Sequence, residues 1–231
     1  MIIQVAKKCP DYNGYRSARV KSLFNASHGD TFNLTIDLPI DDLEWQIGLV
    51  VGPSGTGKSS IGEQLFGGGK LVNLYADWPP DEPLIEAISP GADFNLVTGS
   101  LANVGLGDVP AWLRPFHALS NGQQFRAGLA RVICDPHDEV IIDEFTSVVD
   151  RQIAKIGAMA FAKGWRRNKG KKVVLLSCHY DIVEWLSPDW VFDTGTGAFK
   201  KKANSEPDQS SSWKFGRSTP LTGSILSSIT I

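Results

Sequence analysis

The sequence lacks any apolar run approaching the roughly 18 residues that a membrane-crossing helix needs. Its first residues, "MIIQVAKKCPDYNGYR", hold no apolar stretch of the kind that leads a secreted chain. Cysteine is scarce: Cys9, Cys134 and Cys178 are scattered, odd in number and in no CxxC spacing. That argues against a disulfide framework or a zinc site and fits a reducing, cytoplasmic setting. Neither sign of charge dominates, with 23 lysines and arginines against 25 acids, so no global field steers the chain to nucleic acid or an anionic membrane. No internal repeat is visible. What is present, 231 residues that are 42% hydrophobic and 21% charged, suits a globular protein able to bury a proper core.

Residues 15–49 read as β structure: "YRSARVK" alternates weakly, "FNLTIDLPI" alternates well, and "WQIGLVV" is a run suited to a buried central strand. "SSIGEQLF" reads as a helix that stops at Gly67, Gly68 and Gly69. Residues 71–99 carry many prolines and acids, and about 71–118 reads as a short helical insert, with helices expected near 83–88 and 99–106. From Leu119 the pattern regularises. "SNGQQFRAGLARVIC" is helical with Ser120 as N-cap, "EVIIDEF" and "KKVVLLSCH" are buried strands, and "VVDRQIAKIGAMAFAKGWRRN" is a long amphipathic helix. Helix "YDIVEWL" and a short final strand in "WVFDTG" complete the series. Alternating strands and helices imply an α/β domain with a largely parallel central sheet, preceded by an antiparallel β portion. That domain is expected over 1–202, and 203–231 reads as a polar tail or linker.

The stretch "GPSGTGKSS", Gly52, Pro53, Ser54, Gly55, Thr56, Gly57, Lys58, Ser59 and Ser60, matches the phosphate-binding GxxxxGK[ST] loop between a strand and a helix. Its glycines let backbone N–H groups turn onto phosphate oxygens, Lys58 is placed for the β- and γ-phosphates, and the Ser59 hydroxyl for Mg2+. "EVIIDEF" ends in Asp143, at the carboxyl end of a strand, where it would hold Mg2+. Glu144 follows and is suited to polarising an attacking water.

A third motif, "LSNGQQFRAGLAR", precedes "VIIDEFTSVVD". With it the chain resembles the ABC-type ATPase family, whose signature LSGGQ is followed by a helix into the Walker B strand. The resemblance covers most of residues 20–195, with the P-loop, signature, Walker B strand, D-loop-like "SVVD" and "LLSCH" in the family's order. It implies ATP as ligand, Mg2+ as cofactor, ATP hydrolysis, and a homodimer in which two chains pair head to tail. Ser120, Asn121, Gly122 and Gln123 of one chain would then face the nucleotide of the other. Asp150 would lie at the seam, and His179 would sense the γ-phosphate beside Glu144. Asn121 replaces the usual glycine; asparagine tolerates glycine-like backbone angles.

The insert is short for a transporter cassette, and no glutamine occurs between Gln64 and Gln123 to serve as that family's Q-loop residue. Asp77, Glu82 and Glu86 are the substitutes in range, none singled out. The absence makes a transporter subunit the weaker alternative to a transport-independent ATPase; a third reading is an ATP-dependent dimerisation switch with slow turnover. Phe24 stands at about the family's adenine-stacking position, with Phe32 and Tyr15 competing and a plain core role open. The closer resemblance is to soluble ABC-type ATPases whose cassette precedes a GNAT-like acetyltransferase domain, which implies an attached or partner effector domain. "SILSSITI" reads as the first strand of such a domain or as a tail. The basic run "KGWRRNKGKK", 163–172, is either a solvated helix end or a nucleic-acid phosphate contact.

Overall fold

The structure, a computed structural model, describes residues 1–25, 31–67 and 70–202. The expected tail over 203–231, with "SILSSITI", lies outside the described residues, as do Gly68 and Gly69.

Six strands form the central sheet: β3 (Ile47–Val51), β4 (Lys70–Val72), β5 (Glu139–Ile142), β6 (Lys172–Ser177), β7 (Trp190–Asp193) and β8 (Ala198–Lys201), in the order β4-β5-β6-β3-β7-β8. All neighbours are parallel except β7 and β8. Both faces are covered, which is why the inner strands read as unbroken apolar runs rather than alternating ones. Ile47, Leu49 and Val51 of β3 join Val140, Ile142, Val173 and Leu175 in one apolar cluster. Val50, Ile141, Val174 and Leu176 point into a second cluster on the opposite face.

The first face is packed by helices α4 (Phe94–Asn103), α6 (Asn121–Cys134), α7 (Arg151–Trp165) and α8 (Ile182–Leu186). The second is covered by α2 (Lys58–Gln64) and by a separate antiparallel pair, β1 (Ile2–Lys8) with β2 (Thr31–Asp37). Short helices α3 (Leu84–Ala87) and α5 (Val109–Trp112) complete the insert. The start of β3 is held from below. The Asp189 carboxylate accepts the N–H groups of Gln46 and Ile47 at 2.8 and 2.9 Å, and Arg166 donates to it at 3.0 and 3.2 Å. Burial works to raise that carboxyl's pKa, but the guanidinium and the two amides bring it below the usual range.

The parallel sheet and antiparallel N-terminal portion agree with the sequence reading; four elements differ from it. Residues 15–24 form helix α1 (Tyr15–Phe24), not a strand. The alternation there is weak, Arg, Ala, Lys and Leu are good helix formers, and Asn25 closes the helix in a left-handed conformation. The antiparallel partner of β2 is instead β1, at the very start of the described chain. The insert opens on a strand, β4, too short for periodicity to register. Finally, β8 adds an antiparallel edge after the turn at 194–197.

Candidate functional site

Three adjacent strands deliver the expected groups to one rim of the sheet. β3 runs into the glycine loop, β6 into Cys178 and His179, and β5 into Asp143 and Glu144. Because β6 lies between the other two, motifs distant in sequence line one cleft of about 450 Å³. Ser54, Gly55, Gly57, Lys58, Ser59 and Ser60 line it from the loop and α2; Asp143, Glu144 and Ser147 line it from beyond β5. This is the carboxyl-end crevice where open α/β sheets bind ligands.

The loop is tightly built. Gly57 has φ +86°, and a Cβ there would lie 2.5 Å from the Phe32 ring, so both backbone angle and space require glycine. Lys58 Nζ donates to the carbonyls of Gly52 and Pro53 at 2.8 and 2.7 Å, and the Thr56 hydroxyl donates to Pro53 at 2.8 Å. Burial lowers the Lys58 pKa, while Cys178 and Asp143 work to raise it.

At the end of β5 the backbone is strained. Glu144 and Thr146 adopt φ of +51° and +68°, a region that non-glycine residues seldom enter. Asp143 Oδ1 accepts the Glu144 N–H at 2.8 Å, and the Asp143 N–H donates to the Val72 carbonyl at 3.1 Å. The chain therefore leaves β4 beside Asp143, and the residue that follows is Asn73. The sequence reading offers Asp77, Glu82 and Glu86 for this region; neither they nor Asn73, whose Oδ1 accepts the Tyr75 N–H at 2.9 Å, line the cleft. Ser59 and Asp143 share the cleft, whereas no trio of His, Cys, Asp or Glu gathers into a metal cage among the described residues. One hydroxyl and one carboxylate beside a phosphate loop fit Mg2+, which keeps water and takes phosphate oxygens for the rest of its shell.

Gly52, Pro53 and Thr56 support the loop without lining the cleft, and His179 stands one residue beyond the lining Cys178. The signature residues lie away from this cleft, at the start of α6. Ser120 and Gln123 form a reciprocal capping box, with the Ser120 N–H donating to Gln123 Oε1 at 3.0 Å. Asn121 is the first helical residue and is absent from the left-handed positions, so its place needs no glycine-like angle. A Cβ at Gly122 would lie 2.8 Å from Ile153 Cδ1 of α7, so a larger residue there would displace the end of that side chain. Asp150 caps α7 by accepting the N–H groups of Gln152 and Ile153, both at 3.0 Å.

Phe24 ends α1 and is exposed, outside the cleft; Phe32 and Lys7, from the β1–β2 pair, line it. Lys7 also pairs with Glu63 of α2. The alternation of "FNLTIDLPI" places Phe32 on the inward face, a signal that could have ranked it above Phe24. Much of the basic run 163–172 is engaged internally. Arg166 holds Asp189, Arg167 donates to Asn103, Lys171 to the Asp135 carbonyl, and Lys172 pairs with Glu139.

Comparison with solved structures finds the same fold in ATP-binding cassettes. The dimeric post-hydrolysis state of the ATP-binding cassette MJ0796, bound to ADP and Pi, is similar at TM-score 0.61 and 15% identity, covering 87% of this chain and 98% of that one. The fold is that of an ATP-binding cassette. A dimeric structure of MJ0796, described as a bacterial ABC transporter cassette, gives TM-score 0.58 at 14% identity over 74% and 92% of the two chains. The ADP conformation of MJ1267, an ATP-binding cassette of an ABC transporter, gives 0.54 at 15% over 75% and 84%. No protein-family model and no curated protein sequence matches the chain. Among the described residues, no helix is long and apolar enough to cross a membrane.

Proposed function

We propose that the chain binds and hydrolyses ATP with Mg2+ at a composite site formed by two copies, and that this cycle regulates an attached domain or a partner. One observation carries the reading: the phosphate loop with Lys58 and Ser59 shares a single cleft with Asp143 and Glu144. Lys58 and the loop amides hold the phosphates, and Ser59 and Asp143 would hold Mg2+. The ion would neutralise charge on the phosphate oxygens. Glu144 orients and deprotonates the attacking water, His179 donates toward the terminal phosphate, and Phe32 flanks the nucleotide. Phosphoryl transfer asks for positioning and charge stabilisation, and these groups supply both. Ser120, Gly122 and the start of α6 close the site from the second copy, where a capped helix N-terminus suits an anion.

The experiment is nucleotide binding followed by fluorescence, with phosphate release measured in parallel. Lys58→Ala removes charge-assisted hydrogen bonds of about 1.5–3 kcal/mol, so affinity should fall roughly ten- to hundredfold. Glu144→Gln should keep binding and lose at least about a hundredfold in kcat. Unchanged affinity in Lys58→Ala would overturn the assignment. The second reading, a transporter's nucleotide-binding subunit, draws support from the transporter cassettes among the similar structures. A membrane partner that copurifies with the chain and stimulates turnover would decide for it.

A further inference from the structure

The segment after Glu144 contains a group that the nucleotide contacts do not use. Thr146 is 1% exposed and left-handed at φ +68°, an unusual conformation for a β-branched residue. Strain of this kind persists where surrounding contacts over-determine it. Two contacts converge on its hydroxyl. Arg151 Nη1 donates to Oγ1 at 3.3 Å, and His179 Nδ1 lies 3.4 Å from the same oxygen. Arg151 is itself anchored: its guanidinium grips both carboxylate oxygens of Asp181, with Nε to Oδ2 at 3.0 Å, and lies 4.8 Å from the Trp185 ring centre. The first residue of α7 thus ties the segment after β5 to the segment after β6.

The proton inventory then selects a tautomer. A hydroxyl has one hydrogen to give and two lone pairs to offer. The Arg151 N–H takes a lone pair, so the hydrogen points elsewhere, and a buried hydroxyl seldom leaves it unused. His179 Nδ1 is the acceptor within hydrogen-bond distance that the structure gives it among the described residues. Nδ1 must then be bare, and the ring proton sits on Nε2. The other groups facing the ring are the Cys178 sulfur, 3.8 Å from Nδ1 and 3.9 Å from Nε2, and the Asp181 carboxylate that Arg151 holds. We propose that Arg151 and Thr146 are positioning residues that fix His179 as the Nε2–H tautomer, leaving Nε2–H as the ring's hydrogen-bond donor. The use of that donor toward a terminal phosphate rests on the proposed ATPase reading; the tautomer does not.

The test is a two-dimensional 15N–1H spectrum of the histidine rings in the full chain at neutral pH, with His179 assigned by its loss in His179→Gln. In the wild type, Nδ1 should resonate as a bare nitrogen and Nε2 as a protonated one. Thr146→Val keeps the side-chain shape without the hydroxyl, and the two shifts should move toward each other as the tautomers mix. Thr146→Ser should restore the wild-type pattern. Arg151→Gln, at a partly exposed site, should mix the tautomers as well and serves where Thr146→Val fails to fold. With ATP as substrate, Thr146→Val should lower kcat severalfold with KM little changed, and Thr146→Ser should recover it. A wild-type ring protonated on Nδ1, or variants whose ring shifts do not move, would overturn the proposal. An inactive wild type with the expected tautomer would instead count against the ATPase reading alone.

Discussion

At the residue scale, the charge on His179 is set by what surrounds it. Burial lowers its pKa first, Arg151 lowers it further, and Asp181 opposes both. Above the ordinary histidine value of about 6.5 the ring is neutral in folded and unfolded chains alike. Between that value and the lowered folded one, only the unfolded chain takes up the proton, so this group's stabilising contribution is present at neutral pH and declines as pH falls below about 6.5. Protonation would remove the Nδ1 acceptor that the Thr146 hydroxyl needs, so an acid limb of the kcat–pH profile that reports the loss of this arrangement should lie below pH ~6.5. Arg151→Gln removes a repelling cation and should move that limb to higher pH; a steady-state pH series checks both. The sequence exposes Lys58, Asp143 and Glu144 because each sits in a short contiguous pattern whose chemistry is local. Phe32, Lys7 and Thr146 are harder to read. Their roles depend on which strand lies over the loop and on a backbone angle that residue type alone argues against.

At the element scale, the buried, largely apolar inner strands and the two capped helices announce themselves. β3, β5 and β6 are apolar runs with polar ends, and Ser120 and Asp150 stand where N-caps belong. The edge strands β4 and β8, short and only partly buried, carry no readable apolar run, and their strand character comes from pairing with a neighbour already in place. α1 was open to misreading for a different reason. None of its residues is buried, so no apolar stripe marks the helical period. Asp189 shows what one half-buried acceptor does for an element: it satisfies two amides at the entry to β3 and pairs with Arg166. Asp189→Ala should destabilise the chain by about 1–3 kcal/mol in urea melts, since two half-buried N–H groups and a guanidinium lose their partner. Because the folded carboxyl titrates below its ordinary value, the wild-type advantage should hold above pH ~4 and vanish as pH falls through the folded value. Equal stability of the two proteins at pH 7 would contradict this account of the β3 entrance.

At the scale of the whole molecule, the sheet order decides which motifs meet and which stay apart. The P-loop, Asp143 and Glu144 reach one cleft because β3, β6 and β5 are neighbours, while Ser120 sits at the far end of a helix that leads into β5. Under the proposed function the missing contacts arrive from a second copy. The basic run 163–172 contributes mainly to the chain's own packing, through Arg166, Arg167, Lys171 and Lys172, so nucleic acid gains no support from it. The composite site is the central claim, and sedimentation of Glu144→Gln across a range of protein concentrations, with and without Mg-ATP, tests it most directly. Slowed hydrolysis should let the closed pair accumulate, so a monomer without nucleotide should become a dimer with Mg-ATP, and adding Ser120→Arg should prevent it. A chain that saturates with Mg-ATP and still sediments as a monomer at every concentration would contradict the claim.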